Sequence, residues 1–200
     1  NKAIMIQGSD TYHDQLYEYY IAKHNRKDVI FSTWKDSKSN FPLTVKSNKP
    51  SNPGYGNSAL QFYGTYRGAL YARELGCTHV VKIRSDFIIS PIDKFLELID
   101  EDRLSFLAYH NWSGGYLIDY IIGGPVDTIM SIMEGDTSSS TDFAERQLLN
   151  RIKSNGIKKV NYLLHDMKQR SITCQALKWN CDVIGTGIKD ALYTYPEIIQ

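Results

Sequence analysis

This chain has few cysteines, no long apolar run, no excess of charge of either sign, and neither of the common glycine-rich phosphate motifs. The cysteines are Cys77, Cys174 and Cys181. An odd number cannot pair completely within one chain, and none forms a C-x-x-C clip, so thiols in a reducing compartment are expected. No apolar stretch nears the ~20 residues of a membrane helix. The opening residues lack the basic, apolar and small-residue layout of a signal peptide, which points to the cytoplasm. Lys+Arg 23 against Asp+Glu 22 gives net +1. That balance removes the bulk attraction on which non-specific nucleic-acid binding depends. The absence of G-x-G-x-x-G and of G-x-x-x-x-G-K-[ST] disfavours dinucleotide oxidoreductases and P-loop phosphotransferases.

What remains is ordinary globular composition, 42% apolar and 22% charged over 200 residues. That length fits one domain and buries enough surface to fold without metal or disulfide. The chain starts without Met and stops abruptly after Tyr195-Pro196-Glu197, as one module of a longer chain would. Short apolar runs at residues 2–7, 28–34, 43–46 and 78–83 read as strands. Helical spacing appears over 14–24 and 58–75, the second ending at Gly76. Residues 48–57 hold three Asn, two Pro and two Gly, a loop. Further on, Phe87–Ile89 continues the fourth strand's region, and Pro91 starts a helix over 92–99. Strands follow at 104–109 and 116–122 and a helix at 125–133. A polar linker over 135–141 leads to an amphipathic helix at 142–154, and a late strand occupies 159–164. After Asp166 the pattern weakens. Alternating strands and helices predict an α/β fold with a mainly parallel central sheet flanked by helices.

In such sheets ligands bind beyond the carboxyl ends of the strands. Gly8, Ser9 and Asp10 follow the first strand; Trp34, Lys35 and Asp36 the second; Asn48 and Lys49 the third; Arg84, Ser85 and Asp86 the fourth. A flat aromatic, small polar groups, cations and one acid suit a nucleoside diphosphate. Each residue also has a plain reading. Trp34 could be a core aromatic, Arg84 and Asp86 a structural ion pair, and Asn57 a helix cap. Asp86 at the sheet rim could hold a divalent ion bridging two phosphates.

Transfer to a hydroxyl benefits from a carboxylate base. Asp119 sits inside the aromatic-apolar run Tyr116–Ile122. Glu145 opens the helix after the polar linker, where the helix dipole alone would also account for it. The two rank together as base candidates, ahead of Asp142. Asn111 and Trp112, beside His110, could line an acceptor site. Fourteen Tyr and three Trp fit recognition of sugar rings, and equally a plain core.

The ordered set Phe31-Ser-Thr-Trp34, Asn48-Lys-Pro50, Asn57, Gln61, Gly68-Ala-Leu70 and Lys82-Ile-Arg-Ser-Asp86 resembles the WavE-type lipopolysaccharide-synthesis glycosyltransferases of bacteria, with relatives in large DNA viruses. The resemblance spans residues 3–90, with an echo in Asp119-Tyr120, Gly124-Pro125 and Glu145-x-x-Leu148. It implies a GT-A-like, Rossmann-related fold with a nucleotide-sugar-binding half over 1–90 and an acceptor and catalytic half over 91–200. It implies transfer of a sugar, with inversion preferred, from a nucleotide-diphosphate sugar to a saccharide or glycolipid acceptor. Gly8, Ser9, Trp34 and Asp36 would surround the nucleoside. Asn48, Lys49, Asn57, Gln61, Arg84 and Ser85 would lie near ribose and phosphates. Glu145 or Asp119 would be the base. Mn²⁺ or Mg²⁺ would sit on Asp86, with His165 as a further ligand. The family's metal motif is Asp-x-Asp, and here its first position is Arg84. Two rivals stand beside this reading: a nucleotidyltransferase, which would need two acids for two metals, and a non-catalytic nucleotide- or sugar-binding module.

Overall fold

The computed structural model describes residues 1–99, 102–110, 116–158, 160–178 and 181–182. Its centre is a seven-stranded sheet in the order β3-β2-β1-β4-β7-β6-β8. Strands β1 (Lys2–Gln7), β2 (Val29–Trp34), β3 (Leu43–Ser47) and β4 (His79–Arg84) pair in parallel. Strand β7 (Tyr116–Pro125) runs antiparallel between β4 and β6 (Leu104–His110), and β8 (Val160–Tyr162) pairs in parallel with β6. The result is a mixed, largely parallel sheet flanked by helices, of the Rossmann-related kind.

The strands read as unbroken apolar runs because both faces of the sheet are covered. Ile4, Ile6, Phe31, Val81, Ile83 and Ile121 belong to one buried cluster. Met5, Ile30, Phe106 and Ile122 belong to the other. The first cluster receives Leu16 of α1 (His13–Tyr17) and Phe95 of α3 (Ile92–Leu96). It also takes Phe87 from β5 (Phe87–Ser90) and Met167 from α6 (Leu164–Gln169). The second packs against α2 (Ser58–Glu74), α4 (Val126–Met133) and α5 (Ala144–Ser154).

Apart from Phe62, helix α2 buries mostly small residues, among them Ala59, Gly64, Gly68, Ala69 and Ala72. This allows it to lie close on β1 and β2. A methyl group at Gly68 would stand 2.1 Å from Met5 Sδ and 2.9 Å from Ser32 Cβ. The Ser32 hydroxyl donates to the Gly64 carbonyl at 2.7 Å.

Several boundaries differ from the sequence reading. The helix expected over 14–24 is α1 followed by a wider turn through Lys23. The turn brings consecutive tyrosines to one residue of β5: Tyr19 OH donates to the Ile89 carbonyl, and the Ile89 amide donates to Tyr20 OH. Helix α3 stops at Leu96 rather than at residue 99, and Lys2 Nζ caps the carbonyls of Leu96 and Ile99. Strand β7 continues through Gly123 and Gly124 to Pro125, three residues past the expected end. Gly124 is needed there, with φ +151° and a would-be methyl group 3.0 Å from the Arg103 carbonyl oxygen, and a methyl group at Gly123 would press on Ile99 Cδ1 at 2.8 Å. Leu164 opens α6 instead of closing the late strand. A second small sheet joins β5 to β9 (Thr173–Ala176) and β9 to β10 (Cys181–Asp182).

Candidate functional site

Parallel strands deliver their carboxyl ends to one rim. There β1, β2 and β4 leave a cleft of about 280 Å³ lined by Gln7–Ser9, Trp34 and Arg84–Asp86. The turn before helix α2, with Gly56 and Asn57, and the first turns of α2 itself, with Leu60 and Gln61, close the cleft's other side. The floor is tight. Gly8 has φ +143°, and a methyl group there would lie 2.3 Å from Ser85 Oγ. Only glycine combines that backbone with that approach. The Gly8 amide donates to the Ser32 carbonyl and the Ser85 amide to the Gln7 carbonyl, which ties the three strand ends together.

Trp34 is buried and still lines the cleft, so its core and site readings coexist. Asn57 is left-handed at φ 65° and precedes α2 without a side-chain cap hydrogen bond. Its amide group is therefore not spent on the helix end. Arg84 and Asp86 form a two-pronged pair across the turn after β4. Nε donates to Oδ1 at 3.0 Å and Nη2 to Oδ2 at 2.7 Å. The guanidinium carbon lies 4.9 Å from the Tyr120 ring centre and 5.3 Å from that of Phe87. Burial works against its charge, but the carboxylates of Asp86 and Asp119 outweigh that, so the Arg84 pKa is raised.

Behind this pair lies a buried charged group. Lys82, fully buried, sits in mid-strand opposite Met5 and Ile122. Its Nζ donates to the Asp119 carbonyl at 2.7 Å and stands 3.8 Å from Asp119 Oδ2. Burial pushes the Lys82 ammonium down to about 8, against the pull of Asp119. Asp119 is 1% exposed, and neither carboxylate oxygen has a hydrogen-bond partner among the described residues. The register of β6 against β7 shifts between Phe106 and Ala108. Tyr120 and Ile121, though consecutive, consequently both meet the first core cluster. Such an irregularity re-aims neighbouring side chains.

Glu145, in the first turn of α5, completes the group and is half-buried. Burial first, and then the charge of Asp119, raises its pKa, while Arg84 and Lys82 oppose the shift. The turn carrying Gly56 joins α5 to the cleft: a methyl group at Gly56 would come within 3.9 Å of Phe143 Cβ, just before the helix.

No family model matches the chain, and no curated protein matches it in sequence. Among solved structures it is similar to a crystal structure of a glycosyltransferase involved in the glycosylation of the major capsid of PBCV-1. Identity is 12%, the TM-score is 0.51, and 82% of each chain is covered. At that identity the likeness is one of fold.

Of the residues singled out in the sequence, Gly8, Ser9, Trp34, Asn57, Gln61, Arg84, Ser85 and Asp86 meet in the cleft, with Asp119 and Glu145 electrostatically coupled to Arg84. Asp36 and Lys49 do not line it; they pair with each other at 2.9 Å on the surface. Asn48 and Lys49 border a different depression of about 530 Å³ with Tyr63, Tyr66 and Met133–Thr137. His165 is exposed on α6 with Nε2 2.9 Å from Gln169 Nε2, and it does not line the cleft. Asn111 and Trp112 lie outside the described residues, as does the His110 side chain.

The sequence places Lys82 and Tyr120 within the quoted motifs without giving them, or Phe87, a role. Lys82 had a visible signal, a lone cation inside Val80-Val-Lys-Ile83. The rings that hold Arg84 had none, because they come together only when β7 lies beside β4.

A divalent ion needs oxygen ligands that are free to turn toward it. Asp86 is the one acid lining the cleft among the described residues, and both its oxygens already accept from Arg84. A divalent ion on Asp86 would share those oxygens with the Arg84 guanidinium.

Proposed function

We propose that the chain is a GT-A-like glycosyltransferase. It moves a sugar from a nucleotide-diphosphate sugar to a saccharide or glycolipid acceptor, with inversion, in glycan synthesis of the lipopolysaccharide type. One observation carries the reading: the C-terminal rim of the parallel strands joins an aromatic wall and a fixed guanidinium in one cleft, backed by a carboxyl whose proton affinity is raised. Trp34 and the Gly8–Ser9 turn flank the nucleoside. Asn57, Gln61 and Ser85 offer hydrogen bonds to ribose and phosphates. Arg84 meets the charge that grows on the departing diphosphate.

Glu145 is the base, since it is half-buried and approachable while Asp119 is sealed off. Glu145 takes the acceptor hydroxyl proton as that oxygen bonds to the sugar's anomeric carbon. The nucleoside diphosphate leaves with the electrons of the broken bond. A base with a raised pKa holds that proton better than an ordinary glutamate. Asp119 acts through Glu145 and is a positioning residue.

The test is donor turnover by the whole chain, followed by phosphorus NMR over a panel of nucleotide-sugars. The expected result is slow release of nucleoside diphosphate from one donor class, accelerated by a matching acceptor. Pyrophosphate release would identify a nucleotidyltransferase instead, and binding without turnover a non-catalytic module.

A further inference from the structure

The ion pair at the cleft has donors to spare. A guanidinium carries five N–H groups. Asp86 takes one from Nε and one from Nη2, which leaves three, two of them on Nη1. The Arg84 side chain is 33% exposed, against 17% for Asp86, so the cation is the more accessible partner. Tyr120 and Phe87 hold the planar group, and Asp86 fixes its rotation. A guanidinium oriented by a carboxylate presents its remaining edge as a fork that matches phosphate oxygens. The N-terminal end of the 17-residue helix α2, uncapped by Asn57, faces the same cleft and adds the positive end of its dipole. These features belong to an anion site.

We propose that Arg84, held by Asp86, is the fixed counter-ion of the donor's diphosphate, and that the nucleotide binds without a divalent metal. This rests on the nucleotide-diphosphate reading of the cleft. Asp86 is then a positioning residue for Arg84 and not a metal ligand.

Calorimetric titration of UDP, CDP, GDP and ADP into the full chain tests this, run once in EDTA and once in MnCl₂. The expected affinity of the nucleotide that binds is the same in both, within about twofold. Arg84→Gln weakens it roughly ten- to hundredfold in EDTA, the range for a lost hydrogen-bonded charge. Asp86→Asn weakens it in EDTA as well, an effect that loss of a metal ligand would not produce there. The corresponding nucleoside, which lacks the diphosphate, binds all three proteins alike and shows that the cleft is intact. Tightening of tenfold or more by Mn²⁺ overturns the proposal, whatever the variants do. An Arg84→Gln protein that binds like wild type in EDTA overturns it too. Failure of the underlying reading looks different: a folded wild-type chain binds none of the four nucleotides in either buffer.

Discussion

Glu145 and Asp119 looked equivalent in the sequence, and their surroundings separate them. A base works only when deprotonated, so turnover should rise with pH through the Glu145 midpoint. Burial and the Asp119 charge hold that midpoint above the ordinary 4.5. Asp119→Asn removes the second influence and leaves the first, so the midpoint should move down. The measurement is kcat/KM for donor turnover against pH. An unmoved midpoint would show that Asp119 does not act on Glu145. Glu145→Gln keeps the shape of the side chain and removes the proton acceptor. It should cost about 10²- to 10⁴-fold in turnover, with nucleotide affinity unchanged in a binding titration. A parallel loss of affinity would mean that Glu145 holds the donor rather than the acceptor proton.

At the scale of elements, the cleft depends on how closely α2 lies on β1 and β2. Gly68→Ala tests this. The new methyl would meet Met5 Cγ and Ser32 Cβ at 2.9 Å each, atoms near the backbone that cannot swing away as the Met5 sulfur can. Such overpacking costs about 1–3 kcal/mol, and a chain of this length loses roughly 2–4 °C of Tm per kcal/mol. Differential scanning calorimetry should show the drop, and Met5→Val should return part of it. No drop would mean that the helix can back away freely. The same close packing explains what the sequence could announce. Strands β1, β2 and β4 are apolar runs bounded by glycine or turn residues, and α2 stops just before the left-handed Gly76, so the parallel half was legible. The end of β7 was not, because Gly123-Gly124 signals a turn locally and here serves a crowded crossing under Ile99. Strand β9 was invisible for another reason. It has four residues, and its partner β5 lies more than eighty positions earlier. The cleft residues were legible as strand ends. That Asp36 and Lys49 would pair with each other depends on two loops meeting, and no local pattern encodes that.

For the molecule as a whole, the Lys82–Asp119 pair costs stability. Both groups are sealed from water, and Asp119 gains no hydrogen bond to its carboxylate among the described residues. Breaking such a pair from one side is severe, so Lys82→Met should lose about 3–5 kcal/mol. Replacing both partners is different. Lys82→Met with Asp119→Leu should be at least as stable as wild type at neutral pH, because well-packed apolar groups often match or exceed a buried ion pair. Titration gives a second signature. Native Lys82 holds its proton only up to about 8, whereas in the unfolded chain it does so up to ~10.4. Between those values the unfolded state binds more protons, so the Lys82 contribution to stability rises with pH, by at most about 3 kcal/mol. Tyr19, Tyr20 and Cys77 are shifted upward and pull the other way, and they remain in the double variant. The difference between the two proteins therefore isolates the pair. Urea unfolding at neutral pH and near the top of that window should show the double variant's advantage shrinking as pH rises. A constant difference would mean that Lys82 keeps an ordinary lysine pKa in the fold. Retained nucleotide binding in the double variant, with a lowered Glu145 midpoint, would show that the buried pair serves the cleft's proton chemistry and not the fold.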